Sequence, residues 1–151
     1  MIDKKIPKST IASIINTIVK DNDLRKSSDF INALKQKTEL YTIEVFESIS
    51  YLTKLGKRKT MTAEDIRAFI EVTNLNINEN EKNRISIAPI NRLANMVIKL
   101  RKSRKSLILV SLIIENYIKT LVQKTIKKFL SSKEANQRMT LYSKDLQAVL
   151  A

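Results

Sequence analysis

At 151 residues the chain can hold one domain with a real core or two small units that share one. A single glycine and two prolines suit helices rather than a sandwich or barrel, and a formal charge of +13 implies an anionic partner: nucleic acid, a membrane surface or an acidic protein. With neither cysteine nor histidine there are no disulfides, no thiolate or imidazole metal ligands and no Cys- or His-based catalysis, so the expectation is an all-α, non-enzymatic protein without cofactor, metal or small-molecule substrate.

The first helix signal is Ser9-Thr10 before Ile11, Ile14, Ile15, Ile18 and Val19, an apolar stripe that ends at Asp21-Asn22-Asp23. Ser27-Ser28 then caps a long helix carrying Phe30, Leu34, Tyr41, Val45, Ile49 and Leu52 as far as Leu55-Gly56, about 40 Å at 1.5 Å per residue. After a loop from Lys57 to Met61, Thr62 with Asp65 three residues on resembles a capping box, which predicts a third helix from Ala63 to about Val72.

The asparagine-rich stretch from Asn74 to Arg84 has no sustained apolar period and predicts a linker. Beyond it the order returns. Pro89 opens a short helix with Ile90, Leu93, Ala94, Val97 and Ile98, and the basic run Lys99 to Lys105 closes it. A long helix follows with Val110, Ile114, Ile118, Leu121, Ile126 and Phe129, then a loop and a last short helix. Arg58-Lys59-Thr60-Met61 with Asp65-Ile66 aligns with Arg138-Met139-Thr140-Leu141 and Asp145-Leu146, which marks an internal repeat. Tyr41, Phe46, Tyr117 and Phe129 are expected in the core or at an interface.

The repeats differ in charge. Residues 1 to 75 hold 13 Lys and Arg against 10 Asp and Glu, and residues 76 to 151 hold 15 against 5. The segment Met1 to Pro7 has no apolar signal region, and the longest apolar stretch, Leu107 to Ile114, is broken by Ser111 and too short to span a bilayer. An intracellular or particle-packaged protein with no membrane partner is expected. A long helix with apolar residues on several faces cannot be covered by two short flanking helices, so each unit needs a partner of its own kind, and the second unit supplies it.

In this pattern the chain resembles a histone fold, specifically a tandem histone doublet of the sort seen in some archaea and giant viruses. The residues that carry the likeness are Ile87-Ala88-Pro89-Ile90-Asn91-Arg92 at a first-helix entry, and Gly56-Lys57-Arg58-Lys59-Thr60 through Ala63-Glu64-Asp65-Ile66 at a second loop and third helix. Arg25 and Lys105 stand 33 residues before Arg58 and Arg138, where the family's first-loop arginine would fall. Thr10 takes the place of an expected arginine in the first unit, and Met139 that of the loop lysine in the second.

The resemblance implies two histone folds in one chain, paired as an intramolecular pseudo-dimer: residues 1–74, a linker 75–86 and residues 87–151. It implies DNA contacts from Arg25, Lys26, Arg58, Lys59, Thr60, Arg92, Arg101, Lys102, Arg104, Lys105, Arg138 and Thr140. Asp65 and Asp145 would clamp the loop arginines, the alternative being solvated arginines and ordinary helix-start aspartates. The run Lys99 to Lys105 has no interleaved aromatics to stack single-stranded bases, which favours the backbone of a duplex over a merely solvated charge run.

The expected function is sequence-tolerant binding of double-stranded DNA, with wrapping or compaction over about 20 to 30 bp if three contact points meet successive minor grooves. The alternative is a histone-fold scaffold subunit in a transcription or replication complex. Further partners would be other copies of the chain or other histone-fold chains. The protein would sit with DNA in a nucleoid, in chromatin or in a virus particle.

Overall fold

The computed structural model describes residues 6–150. In chain order it holds helices α1 (Lys8–Asp21), α2 (Ser28–Leu55), α3 (Ala63–Val72), α4 (Ile87–Asn95), α5 (Arg104–Leu130) and α6 (Ser143–Leu150). Four two-residue strands lie in the connections: β1 (Arg25–Lys26), β2 (Thr60–Met61), β3 (Arg101–Lys102) and β4 (Thr140–Leu141), with one 3-10 turn at Lys133–Asn136. The chain is thus mostly helical, as its composition requires, and the strands are the addition that propensity did not show.

By internal contacts the chain divides into two compact units, each drawing on both halves of the sequence. Unit 1 comprises residues 39–116 together with Ile6. It contains the C-terminal part of α2, then β2, α3, the linker, α4, β3 and the start of α5. Its core includes Phe46, Ile49, Met61, Ile66, Ile90, Leu93 and Val110. Unit 2 comprises residues 7–38 and 117–151. Within it, α1, β1 and the start of α2 meet the end of α5, β4 and α6 around Ile11, Ile15, Phe30, Leu34, Ile118, Val122 and Leu146.

Local chemistry explains the helix ends. The hydroxyl of Ser27 accepts the Phe30 N–H at 3.2 Å, and that of Ser103 accepts the Ser106 N–H at 3.1 Å, so each long helix is capped at its first turn. The α3 capping box forms, with Thr62 N–H donating to Asp65 Oδ2 at 2.8 Å. Helix α1 begins at Lys8, with the Pro7 carbonyl accepting from Thr10 and Ile11, rather than at the Ser9-Thr10 signal. Helix α4 begins two residues before Pro89, whose missing N–H is tolerated in a first turn.

Helix α4 also ends earlier than its apolar period suggests, at Asn95 instead of Ile98. Met96 and Val97 bond three residues back, to Leu93 and Ala94, which tightens the last turn. Ile98 still enters the core, and Val97 is left exposed. The predicted linker is anchored within unit 1. Ile85 is fully buried, Arg67 Nη2 pairs with Glu79 at 3.0 Å, and Arg84 Nε lies 3.6 Å from the buried Glu115.

Helix α5 is long and apolar enough to cross a bilayer, yet 67% of its apolar stretch is buried inside the protein. Leu109 through Glu115 are all buried, as expected of a helix enclosed on every side. Three of the hydroxyls taken inside are satisfied by their own helix: Thr38 donates to the Leu34 carbonyl at 2.7 Å, Thr53 to Ile49 at 3.1 Å and Thr125 to Leu121 at 2.8 Å. Phe46 and Phe129 are buried, while Tyr41 and Tyr117 are half-buried.

Candidate nucleic-acid interface

Each unit contains one parallel strand bridge between the two halves of the chain. In unit 1, β2 pairs with β3 in the register Thr60 with Arg101 and Met61 with Lys102. The Lys59 carbonyl accepts the Arg101 N–H at 3.3 Å, and the Met61 carbonyl accepts that of Ser103 at 3.0 Å. In unit 2, β1 pairs with β4, setting Arg25 with Thr140 and Lys26 with Leu141. The Met139 carbonyl accepts the Arg25 N–H at 2.7 Å, and the Leu141 carbonyl accepts that of Ser27 at 3.0 Å.

This register corrects one equivalence drawn from spacing. Lys105 does not stand where Arg25 stands. Arg101 does, because each of these arginines pairs with the threonine of a second loop. The constant interval of 33 residues misleads because the four-residue turn Lys133–Asn136 lengthens the second connection and has no counterpart after α2. Arg104 and Lys105 instead form the first turn of α5, which has no acidic residue. Cations there oppose the helix dipole, an arrangement that an external anion relieves.

The loops holding Thr60 and Thr140 are each braced by an arginine. Arg58 pairs with Asp65, and Asp65 also accepts the Thr62 N–H. Gly56 makes room for this arginine, since a Cβ there would stand 3.0 Å from Arg58 Nε. Lys57, not Gly56, takes the left-handed conformation that turns the chain out of α2, with φ 57°. In unit 2, Arg138 bonds both oxygens of Asp145 at 2.8 Å, and its guanidinium lies over the rings of Phe129, at 4.6 Å, and Tyr142, at 5.2 Å.

Burial alone would raise the Asp145 carboxyl. The Arg138 hydrogen bonds, the Tyr142 N–H and the charges of Arg138 and Lys144 outweigh it and hold the group below the usual aspartate range. The two arginines differ in access: the side chain of Arg58 is 46% exposed and that of Arg138 only 17%.

Lys26 and Lys102 are half-buried and share a device that no motif announced. Each donates to an asparagine of the preceding helix: Lys26 to Asn16, and Lys102 to Asn95 Oδ1 at 2.8 Å, with a second bond to the Leu100 carbonyl at 2.9 Å. Burial pushes the Lys102 ammonium below the usual lysine range. The asparagines precede their lysines by ten and seven residues, so no common spacing could have revealed them. Arg25, Lys59, Arg92, Arg101, Arg104 and Lys105 are exposed, and Thr60 and Thr140 half-buried.

Of the twelve DNA-contact candidates, unit 1 gathers Arg58, Lys59, Thr60, Arg92, Arg101, Lys102, Arg104 and Lys105; unit 2 gathers Arg25, Lys26, Arg138 and Thr140. Among the described residues no cluster of acidic side chains could hold a metal ion.

Comparison with known proteins identifies the fold. The structure is similar to the crystal structure of the histone from Methanopyrus kandleri, with a TM-score of 0.77 over 96% of this chain and 93% of that one, at 17% sequence identity. Residues 1–72 match the Histone family model, which describes the core histone domain. The chain has the histone fold. A curated protein that it resembles is the histone H3-like centromeric protein cpar-1 of Caenorhabditis elegans, 32% identical over an alignment of 72 positions that covers 44% of this chain. The chain spans 28% of that relative's length.

Proposed function

We propose that this chain is a histone doublet that binds double-stranded DNA through its backbone, tolerant of sequence, and compacts it. Its two folds are residues 1–74 and 87–151, joined by the linker 75–86 and paired as an intramolecular pseudo-dimer. The observation that carries this reading is the crossing of the halves at both strand bridges: each first loop lies beside the second loop of the other half, in matching register. Two histone folds pairing head to tail require that crossing, and one longer domain does not. A single histone chain covered over nearly its whole length gives further support.

The chemistry suits phosphate. Each bridge presents a threonine next to an arginine, with Lys59, Arg104 and Lys105 exposed in unit 1. Such contacts position a duplex without reading its bases. Arg92, with Ile90 and Leu93 buried on the opposite side of α4, is suited to enter a minor groove. Asp65 and Asp145 hold the loop arginines in place. A protein acting this way sits with DNA in a nucleoid, in chromatin or in a virus particle, and its other partners are histone-fold chains.

The test is a band-shift titration on random duplex over a salt series. Six to ten phosphate contacts predict a loss of roughly 10³ to 10⁵ in affinity between about 50 and 200 mM salt. Flat affinity over that range would transfer the proposal to a protein-binding scaffold, and a thousandfold preference for one sequence would end the backbone mechanism.

A further inference from the structure

The starts of the two long helices differ in where their carboxylate comes from. The bridges relate Arg25 to Arg101, 76 residues on, and the same interval relates Asp29 of α2 to Lys105 of α5. In unit 2 the carboxylate belongs to the long helix itself: Asp29 accepts from Ser27 and, at 3.1 Å, from the hydroxyl of Ser143 at the start of α6. In unit 1 the long helix brings two exposed cations to that place, Arg104 and Lys105, and has no acidic residue in its first turn.

The carboxylate of unit 1 is supplied by the linker. Strands β2 and β3 run parallel, and α3 and α5 each begin two residues after their strand ends, so both helices leave the same end of one bridge. Arg67 of α3 reaches the linker from there: its Nε donates to both Glu79 oxygens at 3.2 Å and its Nη2 to Oε1 at 3.0 Å. Glu79 lies on a tight turn, in which the Asn78 carbonyl accepts the Glu81 N–H at 3.2 Å and the Asn78 side chain accepts the Asn80 N–H at 3.0 Å. The Arg67 bonds, and after them the charges of Arg67 and Lys105, outweigh burial and hold the Glu79 carboxyl below the usual glutamate range. Lys105 thus already faces an anion of its own chain.

We propose that the linker is an internal competitor of DNA: Glu79, fixed by Arg67, stands in for phosphate beside Lys105, and duplex engages the start of α5 by displacing it. This rests on the reading that the unit 1 cations meet the DNA backbone. In unit 2 the acid is built into the helix in place of the cation and cannot be exchanged, whereas in unit 1 it sits on a separate segment that can leave. A lysine that trades a carboxylate for a phosphate adds less to affinity than one that meets phosphate unopposed, because the displaced carboxylate regains a counterion as the DNA loses one.

Band shifts of the full chain on random duplex over a salt series test this. Glu79→Gln should bind roughly threefold tighter at about 100 mM salt and steepen the log–log slope by up to about 0.9. Glu47→Gln makes the same change of net charge, but at the groove beside the other end of α3, a helix of 10 residues and so about 15 Å long. At that salt the screening length is about 10 Å, so Glu47→Gln should leave the slope unchanged.

In a chain that also carries Lys105→Ala, Glu79→Gln should lose its effect. A linker merely loosened by the substitution would act with or without Lys105, so this cycle separates competition from damage. Two results overturn the proposal: a Glu79→Gln chain that binds like Glu47→Gln, or an effect of the same size when Lys105 is absent. A parent that fails to shift duplex at every salt concentration overturns the proposed function and this inference together. A parent that binds with a steep salt slope, while Glu79→Gln adds nothing, removes the competition alone and leaves the proposed function standing.

Discussion

The two strand bridges share a register, a threonine, an arginine clamp and an aspartate at the next helix, yet they hold the arginine differently. Arg58 pairs with a buried aspartate while nearly half of its own side chain stays open to solvent. Arg138 makes two bonds to Asp145 and lies over two aromatic rings, with little of it exposed. Beside them, Lys59 gives unit 1 a further cation where Met139 gives unit 2 a thioether, although both residues use their carbonyl for the same strand bond. One loop geometry can therefore be kept by an arginine that remains open to solvent or by one committed to the fold. The difference arises from the neighbours Phe129 and Tyr142 and from the second bond of Arg138 to Asp145.

The largest expected effect would break what the bridges share. Each bridge takes one strand from each half of the chain, so residues 1 to 75 and 86 to 151 expressed separately should lose both bridges and show no cooperative unfolding by circular dichroism as single chains. A stable, cooperative monomer of either half would contradict this. Next in size is the contrast between the clamps. Arg138→Ala removes a two-bond ion pair and two ring contacts and should cost about 2 kcal/mol, lowering Tm by about 4–8 °C. Arg58→Ala, at a more solvated pair, should cost about 1 kcal/mol or less. Equal losses in thermal melts would mean that the rings contribute nothing.

DNA binding should reverse that ranking. Lys59→Ala with Arg101→Ala removes two exposed cations at the unit 1 bridge and should lower the salt slope by about two. Lys26→Ala should lower it by about one at most, since Lys26 is already engaged with Asn16. Matching slopes for the double and single variants would show that the unit 1 bridge is not the stronger contact.

How much of this was legible varies with the range of the interaction. The apolar period and the Thr62-Asp65 spacing act within a few residues, and from them the long helices and the start of α3 followed closely. Arg58 with Asp65 and Arg138 with Asp145 were visible because the same seven-residue interval occurs twice. The bridge register was not, because the extra turn Lys133–Asn136 shifts the numbering between Arg101 and Thr140 and leaves no mark in hydropathy. The anchoring of the linker escaped for a similar reason: one buried isoleucine, Ile85, and two ion pairs formed by Glu79 and Arg84 make no periodic pattern. The ring contacts of Arg138 depend on Phe129 being buried at the end of α5, which the helical stripe predicted, and on Tyr142 lying against the same guanidinium, which no short-range rule specifies.

The smallest expected effect sharpens the comparison most, because it adds a single charged group to the poorer bridge. Met139 is 50% exposed, and only its backbone takes part in the strand pairing, through the carbonyl that accepts from Arg25. Met139→Lys should therefore leave the register and the Arg138 clamp intact while placing an ammonium where Lys59 stands in the other bridge. A thioether neither neutralises a phosphate nor donates a hydrogen bond, whereas one added phosphate contact steepens the salt dependence by about 0.9 in the log–log slope. At about 100 mM salt we expect roughly threefold tighter binding to random duplex, the same melting temperature within about 1 °C, and no new sequence preference, since backbone contacts supply affinity without discrimination. An unchanged slope with an unchanged melt would show that the unit 2 bridge does not face DNA. Binding would then rest on the unit 1 bridge and the cations around α4 and the start of α5.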